Sequence, residues 1–509
     1  MPNYLSPGVY VEEVESGSRP IEGVGTAVAA FVGLAERGPY DEPTLVTNWG
    51  QFTQTFGDFV DGGYLAQAVF GYFLNGGTTC YVVRVGASEN GNGSGPEPAQ
   101  ARLGNYRVAV KQLPPAESRD GKADEITVEV ADPTEENAPD DRFTLLVKQN
   151  GKVVETHSAT TKRGKENIVT VVREKSALIT VEEVAAGALV KPDRGSVLLA
   201  PPPATVESIS ADDIVGDVAD RTGFGGLEVI DEVTMVAVPD LMGLYQRDLI
   251  DLEGVQAVQT AMIAHAELMG DRLAILDTPP ALNPQQAKQW RDDVNYDTRY
   301  AALYYPWIKV ADPSGDGAVF VPPSGHLAGV WARNDGTRGV HKAPANEVVR
   351  GVLSLQSVVT QAEQALLNPV GVNCLRSFTG RGIRVWGART LSSDSDWRYL
   401  NVRRLFNYLE ESILNGTQWV VFEPNDEALW ARIRRTISSF LVMEWRRGAL
   451  FGSTPDEAFY VKCDQETNPA ESIDSGHVVC EIGVAPVKPA EFVVFRLAQL
   501  SGGTSLVNE

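Results

Sequence analysis

The residue types able to do chemistry are few and scattered. The five histidines, His157, His265, His326, His341 and His477, include no pair at the i, i+4 spacing that sets two imidazoles on one helical face for a metal. A phosphate loop needs glycines followed by Lys-Ser or Lys-Thr, so that amides and an ammonium surround the anion, and no such run occurs. Gly23-Val24-Gly25 lacks the third glycine of a dinucleotide turn and reads as a structural turn. No G-x-S-x-G elbow is present. Pro323-Ser324-Gly325-His326 sets a hydroxyl near an imidazole, as a nucleophile requires, but the same residues read as a turn entering a helix. Asp394, Asp396, Glu410 and Glu411 read as capping and surface charges rather than an acid/base pair. Cys80, Cys374, Cys463 and Cys480 form no C-x-x-C; Cys463 and Cys480 flank a loop, either as buried apolar thiols or as partners in oxidation. These patterns predict no catalytic residue, no metal and no cofactor.

The elements that would position any site alternate between strand and helix. Ala27 to Gly33 is small and apolar like a buried strand, Asn48-Trp49 opens a helix, and Tyr64 to Asn75 is amphipathic, with Leu65, Val69 and Phe73 four residues apart. Gly76-Gly77 ends that helix before a strand at Cys80 to Val85. Thr234 to Val238, Arg272 to Leu276 and Tyr300 to Tyr305 are further strands, separated by helices at Val255 to Leu268 and from Asn283-Pro284 through Trp290. The rhythm predicts a mainly parallel sheet with crossover helices. Between them, from the glycines 91, 93 and 95 to Pro201-Pro202-Pro203, short β runs alternate with charge, and Asn150-Gly151 marks a hairpin. This region reads as an inserted β domain.

After Gly380 the pattern gives a strand at Ile383 to Ala388 and two helices. The first runs from Asp396 to Leu414, with Ser395 as N-cap, Gly416 past its end, and Val402, Leu405, Phe406, Leu409 and Ile413 as its apolar stripe. The second runs from Asp426 to Arg447, with Asn425 as cap and Leu429, Ile433, Ile437 and Phe440 or Leu441 facing the core. Val478 to Val484 and Glu491 to Leu500 close the chain as strands.

The chain has 509 residues, a prior of about three or four domains. Acidic residues number 67 against 44 lysines and arginines, a formal charge of −23. Such a surface repels phosphate backbones and anionic lipid, so neither nucleic-acid contact nor membrane insertion is expected. The first residues carry no basic and apolar leader, and no apolar stretch nears the roughly 18 residues of a span, which predicts no signal peptide and no transmembrane segment.

Several stretches together resemble the contractile phage-tail sheath family, which includes the sheaths of phage-tail-like injection systems. They are Tyr4-Leu5-Ser6-Pro7-Gly8-Val9-Tyr10-Val11-Glu12-Glu13, Ala29-Ala30-Phe31-Val32-Gly33, Arg37-Gly38-Pro39, Pro306-Trp307 and Val321-Pro322-Pro323-Ser324-Gly325. Lys342-Ala343-Pro344-Ala345-Asn346, the run Gly380-Arg381-Gly382-Ile383-Arg384-Val385-Trp386-Gly387-Ala388-Arg389-Thr390, and Phe422-Glu423-Pro424-Asn425 complete the series. The similarity spans roughly 1–85 and 210–500 and omits the inserted domain. It implies an α/β (α+β) fold, a tail-sheath core of mixed and parallel sheets carrying an inserted β domain and extended N- and C-terminal arms.

The resulting domain reading is an N-terminal linker arm (1–24), core (25–86), inserted exposed β domain (87–208), core resumed (209–372), inner C-terminal domain (373–488) and C-terminal strand arm (489–509). The resemblance implies a homo-oligomer, a helical stack of hexameric rings around an inner tube, contracting to drive that tube through a target envelope. Baseplate and cap proteins are its other partners, and it would assemble in the cytoplasm as part of a phage tail or tail-like particle. Two arms exchanged between subunits would be Gly8, Val9, Tyr10, Val11, Glu12 and Glu13, and Phe492, Val493, Val494, Phe495, Arg496 and Leu497. Gly17 and Pro20, and Val487 to Pro489, suit their tethers. Arg432, Arg434, Arg435 and Arg446 on the second helix are either a solvated face with dipole-matched ends or a contact with an acidic tube. An α/β-hydrolase-like enzyme centred on His326 and a sheath homologue that never contracts are the alternatives.

Overall fold

The computed structural model describes residues 20–86, 210–312 and 317–496 throughout, residue 315, and within the intervening region 100–103, 106–111, 126–133, 139, 141–149, 151–162, 164–184, 191–192 and 194–199. The chain divides into two compact units, 1–85 with 205–509, and 86–204.

The first unit begins with β1 (Ala29–Gly33), β2 (Thr44–Val46), α1 (Trp49–Phe56), α2 (Leu65–Asn75) and β3 (Cys80–Arg84). The second contains β4 (Gln100–Leu103), β5 (Tyr106–Val110), β6 (Ile126–Ala131), β7 (Arg142–Gln149), β8 (Lys152–Thr160), α3 (Ile168–Lys175), β9 (Ile179–Glu183) and β10 (Gly195–Leu198). Its described strands form the antiparallel sheets β10-β6-β7-β8 and β4-β5-β9, around a core that includes Tyr106, Val128, Phe143, Leu145 and Ile179. Gln149 pairs with Lys152 across the two-residue turn, and Gly151 there has φ 77°, the left-handed backbone such a hairpin demands.

The first unit resumes with α4 (Ala211–Val215), β11 (Met235–Ala237), α5 (Leu241–Gln246), α6 (Leu252–Met269), β12 (Leu273–Asp277), α7 (Pro284–Val294) and β13 (Ala301–Tyr305). An eight-stranded sheet of order β18-β17-β13-β12-β11-β1-β3-β2 forms its centre, where β17 is Val372–Phe378 and β18 is Gly382–Val385. All neighbours are parallel except β2 and β18 at the two edges. Strands β1, β11, β12 and β13 are buried at every residue, which is why they read as unbroken apolar runs rather than alternating ones. Helix α8 (Ser324–Arg338) packs along α2 so closely that a Cβ at Gly325 would lie 2.3 Å from Ala68 Cα, and one at Gly329 2.4 Å from the Tyr72 carbonyl. The glycines of that seam are there for contact between backbones. A small antiparallel sheet, β15-β14-β16, uses β14 (Ile308–Ala311), β15 (Ala318–Val321) and β16 (Val352–Leu355).

The last part comprises α9 (Gln361–Leu367), α10 (Leu400–Gly416), α11 (Glu427–Arg446), α12 (Pro455–Ala458), β19 (Phe459–Lys462), α13 (Ala470–Asp474) and β20 (Glu481–Val484). Two expectations need correction. Helix α10 starts at Leu400, not at Asp396, because 397–399 run extended against 388–390: Thr390 N donates to Arg398 O and Leu400 N to Ala388 O. Ser395 therefore caps nothing, and Gly416 is the helix's last residue. Helix α11 is capped by Asp426, whose carboxylate accepts from Leu429 N at 2.8 Å, while Asn425 accepts from Trp430 Nε1. The stripe of α11 lies in the core as expected, with Leu429, Ile433, Ile437, Phe440 and Leu441 buried.

Candidate functional site

In an open parallel sheet, ligands enter where strand order reverses. Here that place is the C-terminal end of β1 and β11, and the chain fills it itself. The Asp240 carboxylate, fully buried, accepts from Leu34 N at 2.5 Å, from Leu65 N at 3.1 Å and from Tyr64 N, the last two at the positive end of α2. Burial pushes this carboxyl up to about 6 despite the three donors. A Cβ at Gly33 would lie 2.1 Å from Asp240 Oδ2, so no room is left. Ser324 and His326 are buried in the seam between α2 and α8; Ser324 N donates to Asp277 Oδ1 at 2.9 Å, and burial lowers His326 to about 4. The turn-into-helix reading of 323–326 is the observed one. No group of three or more His, Cys, Asp or Glu among the described residues is placed to hold a metal.

The stretches that carried the family resemblance hold one another. Asn346, at φ 58°, accepts from the Arg384 guanidinium through its carbonyl at 2.6 Å and from Arg381 through its side chain at 2.9 Å. Asn373 donates to Arg389 O and accepts from Arg389 N, fixing the end of that run beside β17.

Unpaired strand edges lie toward the C-terminal end of the described residues. Strands β19 and β20 form a two-stranded antiparallel ribbon, and no described strand pairs with its outer edges along 459–462 and 481–484. The ribbon is rooted in the α10–α11 core through Ala449, Leu450, Ala458 and Cys463. Beyond it the chain runs through Val487, whose N–H donates to Ala449 O, to Glu491. Glu491 accepts from Arg389 Nε at 2.9 Å and Nη2 at 2.6 Å, from Asn368 Nδ2 at 2.7 Å and from Tyr399 OH at 3.2 Å. Burial raises its carboxyl, but Arg389 and Asn368 outweigh that and hold it below the usual range.

From the next residue the chain is free of the body. Phe492, Val493, Val494 and Phe495 are 74%, 67%, 78% and 86% exposed, and Arg496 is exposed too. Residues 491–496 were expected as part of a strand; they form none, pairing with no described strand of their own chain. Leu497 and the N-terminal group Gly8, Val9, Tyr10, Val11, Glu12 and Glu13 lie outside the described residues.

The arginines of α11 separate. Arg432, Arg435 and Arg446 share one stripe with Ser439 and Met443. Arg432 pairs with Glu423 at 2.8 Å and lies 5.1 Å over the Trp419 ring, whereas Arg435 and Arg446 are exposed. Arg434 points to the other flank and donates to Cys463 O. What sequence reasoning missed is the polar interior of α10: Arg404 donates two hydrogen bonds to the Asp335 carboxylate, at 2.9 and 2.6 Å, with both side chains nearly inaccessible, and Arg403 stacks 4.5 Å over Trp397. The same helix also buries Asn401, Asn407 and Ser412, so no apolar period marked these arginines as interior.

Two family models match consecutive stretches, the phage tail sheath protein central domain over 233–391 and the phage tail sheath C-terminal domain over 392–499, together more than half of the chain. The chain belongs to the phage tail sheath family, the sheath proteins of phage tails and contractile injection systems. Among curated relatives, the tail sheath protein of Vibrio phage KVP40 is 28% identical over 43% of this chain and 32% of its own length. This chain thus matches about a third of that relative. The tail sheath protein of Burkholderia phage BcepMu is 24% identical over 97% of this chain and 96% of its own.

Among solved structures, the helical sheath of the anti-feeding prophage in its contracted state is 25% identical with a TM-score of 0.60, covering 97% of this chain and 99% of that one. The sheath complex of the extracellular contractile injection system PVC, also contracted, gives 0.58 at 23% identity over 98% and 99%, a likeness of fold. No described helix is long and apolar enough to cross a membrane.

Proposed function

We propose that this chain is the repeating subunit of a contractile sheath, stacked as hexameric rings around an inner tube and joined by strands passed between copies. The observation that carries the reading is the exposed apolar segment Phe492 to Phe495, leaving a firmly held Glu491 beside a ribbon with unpaired edges. An extended segment and an open edge are the two halves of a strand-addition joint, in which backbone hydrogen bonds give affinity and alternate side chains fill pockets. Each bond nets only about 0.5–1.5 kcal/mol, but several act together with apolar burial. The N-terminal residues Gly8 to Glu13 are the second exchanged strand, and the 1–24 and 489–509 segments are the arms.

A joint of this kind stays closed while the bodies rotate, so extended and contracted lattices are two rigid-body arrangements of the same linked copies. The contracted state of the similar anti-feeding prophage sheath supports contraction here. The stripe of Arg432, Arg435 and Arg446 is the face offered to an acidic inner tube, and Arg434 is a brace for the ribbon's loop. Baseplate and cap proteins close the two ends of the stack.

Deleting 492–509 tests the joint. The truncated chain should keep the wild-type unfolding transition and form no tubes by negative-stain electron microscopy. Tubes of normal length from that chain would refute the reading.

A further inference from the structure

The antiparallel register of the ribbon pairs Phe459 with Val484 and Lys462 with Glu481. One step further along the same register stand Cys463 and Cys480, at the mouth of the loop that joins the strands. Opposed residues of an antiparallel pair have Cα atoms about 4.5–5.5 Å apart, inside the range a disulfide accepts. The two thiols already interact with each other. Both are free; Cys463 is buried and Cys480 half-buried.

The two walls are held at this distance by Asn468, itself 1% exposed. Its amide donates to Cys463 Sγ at 3.7 Å, to Asp464 O at 3.1 Å and to Val479 O at 3.0 Å, and its carbonyl accepts from Val479 N at 2.6 Å. Arg434 adds a bond to Cys463 O. One buried side chain therefore clamps the residues flanking both sulfurs.

The other two cysteines provide an internal control. Cys80 lies on β3 and Cys374 on β17, five strands apart in the eight-stranded sheet, or about 24 Å at the usual strand spacing. They do not close a bond within one chain.

We propose that Cys463 and Cys480 are an oxidative modification site, a dithiol that closes to a disulfide when a small-molecule disulfide such as oxidised glutathione is available. The half-buried Cys480, as thiolate, attacks one glutathione sulfur; the glutathione disulfide breaks, one glutathione leaves, and a mixed disulfide forms. The Cys463 thiolate then attacks Cys480 Sγ, the mixed disulfide breaks and the second glutathione leaves. Two electrons pass to the oxidant, and the two cysteine protons end on the two released thiols. Burial pushes both thiols up, Cys480 to about 12, so the first step is slow and the pair stays reduced wherever the thiol pool is reducing. The bond closes the 463–480 loop and staples the mouth of the ribbon. On the assembly reading above, it would set the inter-subunit joint once a particle has left the cell that built it.

The test uses the isolated full chain, so its outcome is independent of whether sheaths form. The reduced protein is incubated with oxidised glutathione and mapped by mass spectrometry. The expected result is a chain lighter by two hydrogens, with the 463 and 480 peptides joined and Cys80 and Cys374 free. Cleavage within 464–479 under limited proteolysis should slow at least about tenfold. Cys463→Ser should instead retain glutathione on Cys480, and Asn468→Ala should slow closure about tenfold while leaving global unfolding cooperative. Four free thiols after a treatment that oxidises the urea-unfolded chain would overturn the proposal. So would a glutathione adduct persisting on Cys480 of the wild type, since Cys463 would then be out of reach.

Discussion

Replacing Glu491 with glutamine should detach the base of the C-terminal arm without unfolding the body. The carboxylate takes four hydrogen bonds, two of them from the nearly buried Arg389. Glutamine offers one acceptor oxygen and turns an amide toward the remaining donors, and Arg389 loses its counter-charge. Charge-assisted bonds of this kind are each worth about 1.5–3 kcal/mol, and the pair retains some solvent, so a loss of about 2 kcal/mol is expected. That corresponds to roughly 30-fold more frequent local opening.

The readout is amide exchange at Val487, whose N–H is bonded to Ala449 O, against amides of β12 and β13 as controls. Glu491 titrates below its ordinary range in the folded chain, so its stabilisation is full above the unfolded value of 4.5 and fades as pH falls through the folded one. The wild type should therefore show a protection step on acidification that Glu491→Gln lacks. Equal exchange at Val487 in the two proteins at neutral pH would show that something other than this pair holds the segment.

Two further outcomes are expected. Gly329→Ala should destabilise the fold by about 1–3 kcal/mol, because its Cβ meets the Tyr72 carbonyl, whereas Gly336→Ala on the same helix, with no atom within 4 Å, should be neutral or gain up to about 1 kcal/mol; denaturant midpoints decide it. His326 is buried and lowered to about 4, with His265 lowered likewise by burial and Arg272, so both are neutral in the fold and protonate on unfolding below about pH 6.5. The contribution of these two histidines should be full above that pH and be lost toward pH 4, while the raised carboxyls of Asp240 and Asp277 contribute with the opposite sign, so His326→Gln should lose less stability than the wild type between pH 6.5 and 4.

The central strands were legible because burial on both faces leaves nothing but apolar residues, and the hairpin at 150–151 because its backbone accepts so few residue types. The α11 stripe was legible by its period. The start of α10 was not: Asp394 to Asp396 look like a cap, and only the pairing of Arg389 with Tyr399, distant in no propensity scale but set by tertiary packing, keeps 397–399 extended. Strand β17 escaped notice because Asn373, Arg376 and Ser377 interrupt its apolar run, and β14, β15 and β16 because each has only four residues. The buried pairs Arg404–Asp335 and Arg389–Glu491 join residues 69 and 102 positions apart, beyond any local pattern. The C-terminal segment has the β-branched and aromatic composition of a strand, yet among the described residues it pairs with none.

Strand β1 lies in the interior of the large sheet, parallel to β3 on one side and β11 on the other, and it is the first strand after residue 20. A pull on β1 along its own axis would load the two flanking ladders in shear and all their bonds at once. A strand pulled from a sheet corner would instead unzip one bond at a time. A leading strand placed in the sheet interior is therefore harder to strip from the body than one placed at an edge.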